Sequence, residues 1–206
     1  RRETGLGAGY DYQWDSATYL VLTALLGQAA KDVHYDFQKH FDWLGSIAFV
    51  HFEGTIGTQK LEDITFTSET GRILEIQVKE REGKNPSWSE KTEELAEFMI
   101  RCALKQSGSE HRFLFLSNAN VRQTVIELCK DPAKQVEYYN NYLCKKIFGK
   151  KKNLPPPPIT REQFSQSLAY VNFSDFYSPS IGTPPAPPTS GIGRTILNLL
   201  LDIVSN

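Results

Sequence analysis

Acid, amide and amine side chains recur at alternate positions in one short stretch of the chain. Asp63 lies in a first segment, and Glu75, Gln77 and Lys79 alternate with apolar residues in a second. Alternation over this length is typical of half-buried strands, and Gly71 between the two segments predicts a hairpin turn. If the polar faces of both strands belong to the same face of one sheet, these four side chains lie close together.

Such a group of side chains suits metal-assisted attack on a phosphate. Mg²⁺ prefers oxygen ligands and takes only one or two carboxylates from a protein, which leaves its other positions to water and substrate. Asp63 is the predicted first ligand, and the Gln77 amide oxygen and the Val78 backbone carbonyl are predicted to complete the protein's share. Lys79 would orient the attacking water or neutralise charge that develops on the phosphate. The alternative interpretation is a charged hairpin face that meets only solvent.

Two residues compete for the place of a second metal-binding acid. Glu53 follows a strongly β-prone segment and would stand at a strand end beside the hairpin. Together with Asp63 it would balance the double charge of the ion. Glu75 is the rival, and because it shares a strand face with Lys79, its other interpretation is an ion pair that fixes the lysine.

The remaining hydrophobic patterns predict an α/β domain with a mixed sheet. A loop and a short helix are expected at residues 31–44. The other predicted elements are helices at residues 12–26, 86–106, 121–130, 132–148 and 160–168, and strands at 46–52, 111–117 and 169–173. Because the 111–117 segment is apolar on both faces, we expect it to be a central strand that is buried between two layers.

Five short motifs occur in a characteristic order between residues 5 and 175. They are Gly9-Tyr10-Asp11-Tyr12-Gln13, Glu62-Asp63-Ile64, Ile76-Gln77-Val78-Lys79, Trp88-Ser89 and Phe115-Leu116-Ser117-Asn118. Asp63 followed by Gln77-Val78-Lys79 resembles the D…(D/E/Q)-x-K variant of the PD-(D/E)XK nuclease superfamily. In their order, the five motifs resemble the double-stranded-DNA endonuclease domain that is attached to bacterial antiphage effectors of the CBASS and STAND types.

This resemblance implies a restriction-endonuclease-like mixed β-sheet core flanked by helices. It also implies hydrolysis of double-stranded DNA with Mg²⁺ or Mn²⁺, by a domain that serves as the effector of a larger defence protein. In the resembling family the Tyr-Gln pair of the first helix borders the active site, so Gln13 would contact the metal-bound water or the DNA.

Charge and composition limit how the chain could bind nucleic acid. The net charge is −1, which argues against a constitutive DNA binder, because such proteins neutralise many phosphates. The clearest basic patch consists of Lys145, Lys146, Lys150, Lys151 and Lys152. Its alternative interpretation is a solvated helix end. The nearby tyrosines Tyr138, Tyr139 and Tyr142 would either stack on bases or pack in the core.

Length and linker composition predict one catalytic domain with extensions. A chain of 206 residues with 40% hydrophobic residues can bury one ordinary core. We expect a nuclease core at 1–153, a proline-rich spacer with a docking helix and strand at 154–177, and a linker with the start of a further module or an oligomerisation helix at 178–206. The three cysteines lack zinc-site spacing, and no segment is apolar enough to be a membrane span, so a soluble cytoplasmic protein is expected.

The preferred hypothesis is a metal-dependent endonuclease that is activated by self-association within a larger protein. Proline-rich spacers and an apolar segment at 195–204, which needs a partner, favour control by assembly. The competing hypothesis is a catalytically silent module that keeps the fold for DNA binding or protein docking. Gln77 in place of an acid and the near-zero net charge favour that alternative, and an RNA-cleaving or RNA-binding relative is a third possibility.

Overall fold

A five-stranded mixed β-sheet forms the centre of the computed structural model. The structure describes residues 16–17, 20–21, 35–52, 55–56, 59–60, 63–81, 86–105, 108–149 and 159–175. Its strands are β1 (Ile47–Phe52), β4 (Ile64–Ser68), β5 (Ile73–Lys79), β7 (His111–Ser117) and β9 (Val171–Asp175), in the order β1-β4-β5-β7-β9. The first three strands pair antiparallel, and β5, β7 and β9 run parallel. Two small ladders join β2 (Thr55–Ile56) to β3 (Gln59–Lys60), and β6 (Ser87–Trp88) to β8 (Asn120–Val121).

Helices flank the sheet, as the sequence predicts for an α/β domain. They are α1 (Tyr35–Leu44), α2 (Glu93–Leu104), α3 (Gln123–Lys130), α4 (Pro132–Tyr138), a π-helix (Tyr139–Phe148) and α5 (Arg161–Leu168). Residues 16–17 and 20–21 are also helical, within the predicted first helix. Among the described helices, none has the length and apolarity that crossing a membrane requires.

The predicted hairpin is confirmed as β4 and β5. Gly71 lies in its turn with a backbone φ of 85°, a conformation that residues with a Cβ atom rarely adopt. Thr65 pairs with Glu75 and Ile64 with Ile76, so the polar positions of both strands share one face of the sheet. The predicted strand at 46–52 is confirmed as β1, and the predicted central strand as β7.

Two apolar layers cover the two faces of the sheet. On one face, Ile76 and Val78 pack with Leu20 and Leu44. On the other face, aromatic residues of β7 pack against α2, with Phe98 tilted against Phe115 at 5.2 Å between ring centroids. Glu75 and Gln77 project into this second layer, because strand side chains alternate between the faces.

The helix predicted at 86–106 begins later, at Glu93, and this boundary is a correction. Ser87 and Trp88 form β6 instead, paired with Asn120 and Val121 of β8. The Trp88 indole N–H also donates to Ser117 Oγ at 2.7 Å, which ties the segment to the end of β7. These long-range contacts override the local signal of a proline at a helix start. The shortened α2 then links the parallel strands β5 and β7 as a crossover helix.

The helix predicted at 121–130 begins at Gln123, because Val121 belongs to β8, and the next predicted helix also differs in detail. The helix predicted at 132–148 is divided into α4 and the π-helix. The helix predicted at 160–168 is confirmed as α5, which begins at a capping box between Thr160 and Gln163. The predicted strand that follows is β9 at the sheet edge, and Phe164, Leu168 and Val171 of this segment are buried in the α2-side layer.

We predict that Phe66→Ala destabilises the protein by about 3–5 kcal/mol, because it removes a fully buried ring from the layer opposite α2. Phe66 also makes an edge-to-face contact with Phe41, at 5.3 Å between ring centroids. The matched control is Phe49→Ala on the neighbouring strand, where the ring is 62% exposed, and its effect should stay within about 0.5 kcal/mol. Urea unfolding monitored by circular dichroism measures both, and equal losses would contradict the assignment of this layer as core.

Candidate functional site

Asp63 is held in place by two hydrogen bonds from β5. It immediately precedes β4, and because β4 is antiparallel to β5, it lies beside the carboxyl end of β5. Asp63 Oδ2 accepts a hydrogen bond from the Val78 backbone N–H at 2.7 Å and one from Gln77 Nε2 at 2.5 Å. Two donors on one oxygen fix the direction in which the carboxylate points.

Gln77 connects Asp63 to a cation on α2. Its side chain is buried, with Nε2 donating to Asp63 and Oε1 accepting from the Arg101 guanidinium. A carboxylate only accepts hydrogen bonds and a guanidinium only donates them, so the amide orientation is fixed by its two neighbours. Arg101 therefore acts on Asp63 through Gln77.

Lys79 ends β5 on the same strand face as Gln77. Its side chain is half-buried, and it forms no hydrogen bond or ion pair with the described residues. The structure thus brings Asp63, Gln77, Val78 and Lys79 together, which are four of the predicted site residues.

The segment after β5 is anchored to the end of β7. Lys79 lies opposite Ser117 in the parallel register of the two strands. Two residues further on, the Arg81 backbone N–H donates to Asn118 Oδ1 at 2.8 Å. The Arg81 guanidinium lies over the Trp88 ring, 4.7 Å from its centroid. The carboxyl ends of parallel strands are where α/β sheets commonly bind ligands, and this site lies there.

Glu75 has partners other than the predicted Lys79. The buried Glu75 carboxylate accepts from Lys105, the C-cap residue of α2, and lies 2.7 Å from His111 Nε2. Burial by itself raises the pKa of Glu75, but the hydrogen bonds from His111 and Lys105 outweigh it, so the pKa falls below the ordinary glutamate value. In this arrangement Glu75 belongs to a buried polar cluster with Lys105 and His111, and its metal-ligand role stays a prediction.

The described residues meet only part of the predicted metal ligand set. Asp63 supplies a carboxylate, which accepts a hydrogen bond from the Val78 N–H. The N–H and C=O groups of one strand residue point toward the same neighbouring strand, so the Val78 carbonyl also faces the Asp63 side of β5. The Gln77 oxygen does not fit as a ligand in this arrangement, since Arg101 occupies it. Among the described residues no group of three or more His, Cys, Asp or Glu side chains is placed to hold an ion.

Glu53, the predicted second acid, lies outside the described residues. The strand that precedes it in the sequence, β1, ends at Phe52, which pairs with Ile64, the residue after Asp63. Gln13, Lys150, Lys151 and Lys152 also lie outside the described residues.

The other predicted nucleic-acid residues lie at the end of the π-helix. Lys145 Nζ donates to Asn141 at 2.9 Å, and Lys146 lies over the Tyr142 ring. Tyr138 and Tyr139 are buried in the core, which is one of the two interpretations that the sequence leaves open for this group.

Sequence reasoning missed the basic residues that contact the polar positions of β5, which are Arg101, Lys105 and His111, and it missed Arg81 just beyond the strand. Arg101 lies in the last turn of α2, and Lys105 is the C-cap residue four positions later, so both project from the same side of the helix end. Glu75 and Gln77 are two apart on a strand and also share a side. A search for such paired spacings would have found these contacts.

No family model matches the chain, and comparison with curated proteins and with solved structures gave no match. Its function is therefore inferred from the residues and contacts of this site.

We predict that Glu75→Gln destabilises the protein by about 3–5 kcal/mol near neutral pH, because it removes the buried carboxylate that pairs with Lys105. Since folding lowers the pKa of Glu75, the stabilisation is complete above the pKa of the unfolded chain, about 4.3, and is lost as the pH falls through the folded value. The difference in unfolding free energy between wild type and Glu75→Gln should therefore narrow in acid.

Urea unfolding at a series of pH values measures this difference. The matched control is Glu127→Gln, which alters a largely exposed Glu–Lys pair with Lys134 and should leave the unfolding midpoint unchanged. A pH-independent difference for Glu75→Gln would show that Glu75 is not ionised in the folded protein.

Proposed function

We propose that the chain contains a restriction-endonuclease-like domain that hydrolyses phosphodiester bonds of double-stranded DNA with Mg²⁺ or Mn²⁺. The observation that carries the proposal is the double hydrogen bond that fixes Asp63 beside the end of β5, where Lys79 ends the strand without an ion-pair partner among the described residues. A rigid carboxylate next to an available ammonium group is what metal-assisted phosphoryl chemistry requires of a protein.

Each residue has a distinct part in the proposed reaction. Asp63 and the Val78 carbonyl would bind the ion, which when bound polarises the phosphate and lowers the pKa of a coordinated water. Lys79 would orient the attacking water or neutralise the negative charge that grows on the phosphate. As the bond from water oxygen to phosphorus forms, the bond from phosphorus to one sugar oxygen breaks, and that oxygen takes up a proton. Gln77 would act as a positioning residue, since it holds Asp63 and is itself held by Arg101.

The architecture supports the finer fold assignment within this proposal. An antiparallel hairpin carries the acid and the lysine, and a crossover helix then leads to a parallel strand in the same mixed sheet. The sequence resemblance predicts this order of elements, with the acid near the start of one hairpin strand and the lysine near the end of the other.

The biological setting follows from the resemblance and from the proline-rich spacers and apolar 195–204 segment of the sequence, and it is part of the proposal. In it, the domain is the effector of a larger defence protein, and self-association brings two active sites to the two strands of one duplex.

A catalytically silent module is the second candidate, and one observation favours it. Arg101 binds the Gln77 oxygen, and Asp63 is the one carboxylate that the described residues place against Gln77 and Val78. A cation at that position weakens the binding of a metal ion, so the module would bind DNA without cutting it.

We predict that Lys79→Ala and Asp63→Asn each lower metal-dependent cleavage of plasmid DNA by roughly 100-fold or more, because each removes a charge from a preorganised site. Asn at position 63 retains an oxygen that can accept from Gln77 and Val78, so the fold should persist. Cleavage rates with and without Mg²⁺, on DNA and on double-stranded RNA, measure activity and substrate class together.

Lys130→Ala is the matched control, because this exposed lysine lies at the end of α3. It should cut at the wild-type rate. A folded Lys79→Ala protein with wild-type activity would refute the assignment of Lys79, and a wild type that binds DNA but never cuts it would favour the silent module.

We also predict that Gln77→Glu raises the affinity for Mg²⁺, because a carboxylate at this position adds negative charge beside Asp63 while still accepting from Arg101. Turnover should fall if the new charge also attracts Lys79. Isothermal titration of both proteins with MgCl₂ decides the first point. Identical binding constants would show that the side chain at position 77 does not reach the ion.

A further inference from the structure

Arg81 lies just beyond the carboxyl end of β5, next to the candidate site. This charged residue has no role in the sequence-based predictions or in the proposed reaction. It follows Lys79 by two residues, and both lie on the side of the sheet where Ser117 and Trp88 are joined by a hydrogen bond of 2.7 Å. The guanidinium lies 4.7 Å from the centroid of the Trp88 ring. Arg81 therefore lies next to the candidate site.

The Arg81 side chain is held in position from two sides. Its backbone N–H donates to Asn118 Oδ1 at 2.8 Å, which fixes the residue just beyond the strand. The indole below it is itself immobilised, because Trp88 is buried and bonded to Ser117. A guanidinium that is already ordered loses little conformational entropy when it binds an anion.

The Arg81 guanidinium has no anionic partner in the described part of the chain. Its Nη1 is buried and has no hydrogen-bond partner there, and no ion pair with a described carboxylate is formed. By contrast, Arg72 pairs with Glu110, and Arg101 donates to Gln77. A buried donor that remains unsatisfied calls for a water, an ion or a ligand.

We propose that Arg81 binds a backbone phosphate of nucleic acid. This phosphate would be next to the one that is cleaved at Asp63 and Lys79 in the proposed reaction. The inference rests on the proposed function for the identity of the polyanion. The guanidinium carries five N–H donors in a planar fork that matches a phosphate, whereas Trp88 covers one of its faces and leaves the edges to hydrogen-bond. Such a contact supplies local positive charge to a chain whose net charge is −1.

The test is the salt dependence of DNA binding by the full chain. A short fluorescein-labelled DNA duplex is titrated with protein in EDTA, which suppresses metal-dependent cleavage, over a range of KCl concentrations, and anisotropy gives the binding constant. Loss of one phosphate contact lowers the slope of log K against log salt by about 0.9. Arg81→Gln should show this decrease and should weaken binding roughly 10-fold at low salt.

Arg112→Gln is the matched control. Arg112 also lies over a tryptophan, 4.2 Å from the centroid of the Trp43 ring, but it is near the start of β7, at the opposite end of the strand from Ser117. Its replacement should leave the slope unchanged. Arg81→Lys retains the charge without the planar fork, so it should keep the wild-type slope while binding more weakly.

The outcomes separate this inference from the proposed function. If wild type never cuts DNA but Arg81→Gln lowers the slope, phosphate binding holds and the catalytic proposal fails. If wild type cuts DNA, Arg81→Gln should raise KM with little change in kcat, as expected for a contact made equally in the ground and transition states. An Arg81→Gln protein with wild-type slope and affinity would overturn the inference, as would a wild type that does not bind the duplex at low salt. Should Arg81→Gln fail to fold, a wild-type affinity for Arg81→Lys would also contradict it.

Discussion

Two matched spacings join helix α2 to the central strand β5, and the polar layer of the structure depends on them. Arg101 in the last turn of α2 and Lys105 at its C-cap are four residues apart, about 6 Å along the helix axis. Gln77 and Glu75 are two residues apart on the strand, about 6.6 Å. Arg101 meets Gln77 and Lys105 meets Glu75, so the helix runs antiparallel to the strand. This is the direction that a crossover helix takes between two parallel strands.

The matched contacts solve a problem that the sequence of β5 creates. A buried strand of the central sheet carries an acid and an amide on the face that α2 covers, and both would be costly there without partners. Glu75 forms an ion pair with Lys105 and a hydrogen bond with His111, while Phe113 stacks against His111 at 4.6 Å between ring centroids. These contacts favour one register of α2 on the sheet, because a shift by one turn would separate Arg101 from Gln77 and Lys105 from Glu75. The position of Asp63 then follows, since the Gln77 amide that holds it is fixed by Arg101.

The sequence predicted local structure well and long-range contacts poorly. The β4–β5 hairpin follows from alternation and Gly71, and the central strand β7 from its apolar run, since these signals lie within a few residues. The start of α2 was predicted too early because Trp88 is bound to Ser117, which is far away in the chain. The site divides in the same way. Asp63, Gln77 and Lys79 were found by their spacing. The basic partners of Glu75 and Gln77 were missed, because those contacts join residues that are 24 to 36 positions apart.

Position 77 favours an amide over an acid, for a physical reason. Between a carboxylate, which only accepts hydrogen bonds, and a guanidinium, which only donates them, the connecting side chain must both donate and accept. Gln77 does so, donating to Asp63 and accepting from Arg101. A carboxylate in its place would still accept from Arg101 but would repel Asp63, unless a proton or a divalent cation lay between the two acids. The neutral amide thus keeps Asp63 in position. In the proposed reaction, the remaining negative charge that a divalent ion needs would come from Glu53 or from the phosphate of the substrate.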